Sequence, residues 1–160
     1  MAKIERKYFA HFLDVSFGGA SAEYVRLGKD LEEYNIELNP DTETVKNILG
    51  EQSTRHNGYE VSSEVDPFYA YSGDKLYEQL AKIVNGRLTG DDCATTVVDV
   101  MIDGSTGSVE WAYREDVIVV PTSMGGDTSG VQIPFTINYN GNRTKGTFNL
   151  TTKAFTESDT

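Results

Sequence analysis

Apolar and polar residues alternate without interruption from Val131 to Tyr139, with Val131, Ile133, Phe135, Ile137 and Tyr139 on every second position. A period of two belongs to a strand with one face on a core and the other on solvent, and a helix cannot satisfy it. The same reading, in shorter or mixed form, covers residues 8–15, 24–27, 33–38, 42–49, 59–69, 95–102, 109–112, 117–120, 144–150 and 153–155. So many short strands with turn residues between them predict a mainly β fold, a β-sandwich or partly open barrel. Asn39-Pro40-Asp41 has turn chemistry and predicts a long hairpin from 33–38 to 42–49, with Asn39, Pro40, Asp41 and Thr42 at its tip. Asn140-Gly141-Asn142 predicts a second hairpin, joining 131–139 to 144–150. Residues 51–57 read as a polar connection and 124–130 as a flexible loop.

One flanking α-helix is expected between Ser72 and Gly86. Leu76, Tyr77, Leu80, Ile83 and Val84 lie on one face, while Glu78, Gln79 and Lys82 point away. Ser72 is the expected cap, Asp74 a favourable first-turn carboxylate, and Asn85-Gly86 the left-handed stop.

Charge is distributed unevenly. Residues 30–66 carry ten carboxylates against Lys46 and Arg55, most of the chain's net charge of −11. Such a run would normally stay solvated and mobile. Here it coincides with strand patterning at Tyr34-x-Ile36-x-Leu38 and Tyr59-x-Val61-x-x-x-Val65. By parity Glu33 and Glu37 share a face opposite Tyr34 and Ile36, and Glu60, Glu64 and Asp66 a face opposite Tyr59, Val61 and Val65. Residues 1–29, by contrast, hold five cations and three acids, with Lys3, Arg6 and Lys7 together at the start. This asymmetry suits head-to-tail self-association, or else a solvated basic arm.

The acidic balance argues against gripping nucleic acid through phosphates, which needs clustered Lys and Arg. No apolar stretch approaches the roughly 18 residues of a membrane span, and the charged start lacks the apolar core of a secretory signal. Cys93 is the single cysteine, so no intrachain disulfide can form and no multi-cysteine metal site is expected; the composition suits a reducing cytoplasm. His11, in an apolar segment, reads as structural and His56 as a loop residue. Neither combines locally with Ser, Cys or Asp into a catalytic constellation. Asp91 and Asp92 before Cys93 oppose a reactive thiolate. No catalytic residue, metal site or cofactor is expected. The remaining chemistry-bearing pair is Trp111 with Tyr113, which would suit a carbohydrate- or receptor-binding β-sandwich.

Three regions in order along the chain carry a resemblance: Tyr24-Val25-Arg26-Leu27-Gly28-Lys29-Asp30-Leu31 through Gly50-Glu51; Asp66-Pro67-Phe68-Tyr69-Ala70 with Gly73-Asp74-Lys75-Leu76-Tyr77; and Gly125-Gly126-Asp127-Thr128-Ser129-Gly130, Ile133-Pro134-Phe135 and Gly141 to Phe148. Together they resemble the major tail tube proteins of long-tailed phages and prophages of Gram-positive bacteria. The resemblance implies a single tail-tube-like domain over residues 1–160, with a flexible N-terminal arm (1–7) and C-terminal end (157–160). It implies hexameric rings of the chain stacked into a tube for genome passage, made in the bacterial host cytoplasm and located in the virion tail. Tape-measure, tail-terminator and tail-tip proteins would be the partners. On that reading Glu33, Glu37, Glu60, Glu64 and Asp66 line the bore, which DNA should traverse without adhering. Lys3, Arg6, Lys7, Asn39, Pro40, Asp41, Thr42, Gly125, Gly126 and Asp127 are then the candidates for ring stacking.

Overall fold

A computed structural model of the chain describes residues 1–158. The strands are β1 (Phe9–Asp14), β2 (Tyr24–Arg26), β3 (Pro40–Lys46), β4 (Gln52–Tyr59) and β5 (Ser62–Val65). After the helix α1 (Lys75–Gly86) come β6 (Ala94–Ile102), β7 (Val109–Pro121), β8 (Gly125–Asp127), β9 (Gly130–Gln132), β10 (Phe135–Tyr139), β11 (Thr144–Asn149) and β12 (Ala154–Glu157). The mainly β expectation with one α-helix holds. Among the described residues the sheets are open and none closes into a barrel.

The main sheet is antiparallel and runs β2-β1-β6-β7. Beyond β7 its edge is shared by two strands in series. Phe135–Tyr139 pair with Pro121–Val117, and Thr144–Gly146 pair with Arg114–Ala112. β5 then adds to the free edge of β10, and β12 to that of β11. The expected hairpin between 131–139 and 144–150 is therefore absent, because both segments follow the same edge of a third strand. The residues between them form a joint over Glu115 and Asp116. The Asn140 N–H donates to the Asp116 carbonyl at 2.7 Å, the Asp116 N–H to the Gly141 carbonyl at 3.1 Å, and Arg143 meets Glu115 at 3.3 Å.

Each face of the sheet carries a core. Leu13, Val97, Val117, Val119, Phe135 and Ile137 face the helix residues Leu76 and Leu80, together with Tyr34 and Val65. Ala10, Phe12, Val98, Val100, Ala112 and Phe148 pack on the opposite face. Period two accounts for the split: neighbours such as Phe12 and Leu13, or Val97 and Val98, belong to different clusters. Each buried Leu, Val or Phe contributes about 1.5–3 kcal/mol relative to exposure. Gly146 is required where β11 meets β12, since a Cβ there would lie 2.2 Å from the Thr156 carbonyl and 2.5 Å from the Phe155 ring.

Several boundaries differ from the sequence reading. Residues 109–121 form one strand, with Arg114, Glu115 and Asp116 in its middle. The alternation holds as a burial pattern from Ile133 to Tyr139, whereas Val131 is exposed, and Pro134, which has no N–H to donate, divides the run into β9 and β10. Asp74, not Ser72, caps α1, its carboxylate accepting from the Leu76 N–H at 3.0 Å. The left-handed stop is Arg87 (φ 50°), whose N–H returns to the carbonyls of Ile83 and Val84. The expected loop at 124–130 is the β8–β9 hairpin. Gly126 has φ 135° there, and a Cβ would sit 2.0 Å from the Gly130 carbonyl.

The largest difference lies in the acidic region. The long hairpin consists of β3 and β4, not 33–38 with 42–49, so the expected polar connection 51–57 is a strand. Asn39, Pro40, Asp41 and Thr42 form the base of this hairpin, and its tip is 47–51. Pro40 fits because a strand's first residue can lack an N–H.

Candidate functional site

The acidic residues are set by what lies beneath them. Tyr34 is buried, and its hydroxyl lies 3.2 Å from that of Tyr139. Its carbonyl accepts from Arg6 Nη2 at 3.0 Å. With Tyr34 inward and Ile36 packed on the core, Glu33 and Glu37 face outward. Glu37 then bridges to Ser62 through two backbone hydrogen bonds of 2.7 and 2.9 Å. This places Glu37 beside β5, where Ser63 and Val65 are buried and Glu64 is exposed. Glu33, Glu37, Glu64 and Asp66, with Asn35, line a concavity of about 260 Å³. Four of the five sequence-predicted acids thus meet in space. Glu60 does not join them, because the chain leaves the strand between β4 and β5 and parity is not carried across. It lines a separate concavity of about 360 Å³ with Asn39, Tyr59 and Tyr139. Among the described residues none of the five acids forms an ion pair.

A basic concavity of about 410 Å³ adjoins this face, lined by Arg6, Lys7, Arg26 and Lys29, with Glu33 on both borders. Lys7 is held to Glu5 at 3.2 Å, which raises its pKa above the ordinary lysine value. Lys3 is exposed and lies outside this concavity.

Arg6, itself exposed, covers the buried His11–Asp99 pair in a network that local sequence motifs do not reveal. Its Nη2 lies 2.9 Å from His11 Nε2, and His11 Nδ1 lies 2.6 Å from Asp99 Oδ1. A guanidinium only donates, so Nε2 accepts and Nδ1–H donates to the carboxylate. The Tyr139 hydroxyl donates to Asp99 Oδ2 at 3.2 Å. Burial first, and then the Asp99 charge, push the Tyr34 hydroxyl up to about 12 and raise that of Tyr139 in the same direction. The network fixes the end of the N-terminal arm against β1 and the 33–37 segment. At the other end of the chain, Glu157 of β12 pairs with Gly146 of β11, and the Ser158 N–H donates to the Lys145 carbonyl; 159–160 lie outside the described residues.

Among the described residues the β3–β4 hairpin pairs with no other strand. Nearly every residue on both of its faces is exposed. Its base is tied to the body by Asn39 Nδ2, which donates to the Glu60 carbonyl at 2.9 Å. At its tip Ile48 is fully exposed and Leu49 is 76% exposed. An isolated two-stranded hairpin is marginally stable in water, so this one is suited to gaining contacts from another molecule. In the β8–β9 hairpin the Asp127 carboxylate accepts from the Ser129 N–H at 2.7 Å, closing the turn.

Other expected chemistry is placed plainly. Trp111 is half-buried, with ring centroids 5.8 Å from Phe9 and 5.7 Å from Tyr113; the Arg143 guanidinium covers Tyr113 at 4.3 Å. Cys93 is buried, and burial, then Asp92, push its thiol up. Among the described residues no group of three or more His, Cys, Asp or Glu is arranged to hold a metal ion, and no helix is long and apolar enough to cross a membrane.

No protein-family model matches the chain, and no curated protein matches it in sequence. Solved structures do match in fold. A chain from the sheath/tube terminator of an extracellular contractile injection system (PVC) in its extended state aligns with TM-score 0.59 and 10% identity, covering 91% of this chain and 97% of that one. A chain from the tube-terminating cap of the anti-feeding prophage aligns with TM-score 0.57 and 11% identity, covering 92% and 93%. A third, from the PVC sheath-tube complex, gives 0.55 and 10% identity over 91% and 92%. The chain therefore has the fold of tail-tube-like proteins along nearly its whole length.

Proposed function

We propose that this chain is a structural subunit of a phage-tail-like tube. Copies associate as rings, hexameric by the sequence resemblance, around an anionic bore. The observation that carries this reading is the β3–β4 hairpin, which leaves both faces and an apolar tip to solvent in a chain whose neighbours in fold come from tube assemblies. Self-association would cover that surface, and contacts that repeat head to tail generate filaments when they do not close. The adjoining basic and acidic concavities give one copy two faces of opposite sign, which favours ordered association. Glu33, Glu37, Glu64 and Asp66, with Glu60 beside them, line the bore in this reading. A wall without cations adds no phosphate contacts to slow a passing nucleic acid. Lys3, Arg6, Lys7, the hairpin base Asn39–Thr42 and the β8–β9 hairpin at Gly125, Gly126 and Asp127 serve the ring contacts. Tape-measure, terminator and tail-tip proteins are the partners, in a tail built in the host cytoplasm.

Electron microscopy of the purified full chain, alone and with a tail initiator complex, tests this. Rings or tubes with a central channel are expected. A protein that stays monomeric at high concentration and adds to no tube would overturn the proposal.

A second reading has its own support, since two of the neighbours come from a tube terminator and a tube-terminating cap. In that reading the chain forms a ring that closes a tube end and never elongates. Isolated rings that bind pre-formed tube ends and halt growth would identify it.

A further inference from the structure

A second apolar feature lies away from the hairpin. The C-terminal end of α1 and the end of β7 border an open groove of about 720 Å³, whose walls include Val84, Leu88, Val120, Pro121 and Met124. Val120 and Met124 are each 43% exposed. Among the described residues Arg87 is the only charged one on the groove lining. Its Nη1 donates to the Val84 carbonyl at 2.9 Å, and it pairs with no carboxylate among the described residues. The groove thus offers an apolar patch, flanked by Asn85, Thr89, Thr122 and Ser123, with one cation on its lining.

The hairpin tip offers the converse. Ile48 and Leu49 project at the end of a two-stranded ribbon, with Glu51 two residues beyond Leu49. At about 3.3 Å per residue, the seven-residue β3 carries the tip roughly 23 Å along the ribbon. We infer that the Ile48-Leu49 tip of one copy seats in the α1–β7 groove of a second copy, with Glu51 facing Arg87. Two adjacent aliphatic side chains seated on the apolar patch of Val84, Leu88, Val120 and Met124 make a compact anchor, and the ion pair with Arg87 fixes direction. The contact is heterologous, because tip and groove are different surfaces, and it therefore propagates from copy to copy. This inference rests on the self-association proposed above and names the two surfaces that meet.

The test uses the full chain. Protein carrying Leu49→Cys is mixed with protein carrying Met124→Cys under assembly conditions and treated with a short thiol-to-thiol cross-linker. Peptides are mapped by mass spectrometry, and the same sample is viewed by electron microscopy. Cross-links between positions 49 and 124 are the expected result. Assembled particles in which position 49 links only to itself, or to nothing, would overturn the docking while leaving the tube reading intact. Monomers throughout would overturn both. A second measurement avoids dependence on cross-linking: Ile48→Asp with Leu49→Asp should raise the concentration needed for assembly by roughly tenfold or more, as loss of an apolar anchor does. Because both side chains are exposed in the single chain, the melting temperature should not change. An unchanged assembly threshold would count against the docking.

Discussion

His11 and Asp99 are directly paired across β1 and β6, and the imidazole Nδ1 lies 2.6 Å from the carboxylate Oδ1. Both are almost completely buried, on the sheet face that also carries the Tyr139 hydroxyl. Asp99→Asn should therefore destabilise the fold by about 2–3 kcal/mol, the usual cost of weakening buried hydrogen bonds to a charged group. Urea denaturation measures this, and a variant as stable as the parent would show that the network contributes nothing net.

The buried tyrosines give the fold an alkaline limit. Folding raises the Tyr34 hydroxyl from 10.0 to about 12 and Tyr139 in the same direction, so above the ordinary value the folded state binds more protons than the unfolded chain. Their stabilisation is complete below about pH 10 and is lost as the pH rises through the folded value. The melting temperature should fall steeply across that window. In a Tyr34→Phe, Tyr139→Phe variant the alkaline fall should be shallower, whatever the change at neutral pH. Equal slopes for parent and variant would contradict this assignment.

Gly146→Ala should be destabilising by about 1–3 kcal/mol, as overpacking a close contact usually is. The added methyl would meet the Thr156 carbonyl and the Phe155 ring, and β12 must move to admit it. Hydrogen exchange should show the loss of protection concentrated in β11 and β12. A uniform loss over the whole sheet would point to another cause.

In the proposed tube, replacing Glu33, Glu37, Glu64 and Asp66 by Lys should leave assembly in place and impair genome delivery. The corresponding Gln and Asn replacements should have a smaller effect, since they remove repulsion without adding phosphate contacts. Full infectivity with the Lys variant would remove these residues from the bore. Failure of the particles to form would place them in contacts between copies.

Trp111→Ala should cost about 1–2 kcal/mol, less than for a fully buried aromatic, because the ring is half-buried against Phe9 and Tyr113. If glycan binding is detected in the parent and vanishes in this variant without a fall in stability, the ring serves as a recognition surface and not as packing.

Periodicity revealed elements that bury one face. Ile133, Phe135 and Ile137 are inward as their spacing predicts, and so are Leu76, Leu80 and Ile83. It failed where no face is buried. Gln52 to Asn57 has no apolar alternation because both sides of β4 face solvent, so residues 51–57 read as a connection. Ile48 and Leu49 suggested strand interior, although they sit at an exposed tip. Arg87 gave no sign of a left-handed turn, because a non-glycine residue adopts that conformation only when its surroundings impose it. Four of the acids meet because Glu37 bridges Ser62, a contact that the parity of either segment could not reveal. The His11–Asp99 pair depends on register between residues 88 apart in sequence.

The joint at 140–143 lets β7 support two successive strands whose registers are set separately. A one-residue insertion there can be taken up as a larger bulge over Glu115 and Asp116, leaving Phe135 and Ile137 in place upstream and Phe148 in place downstream. The same insertion within β11 would have to turn Phe148 into water. The joint works as an expansion seam, at which the C-terminal edge can lengthen while the centre of the fold stays in place.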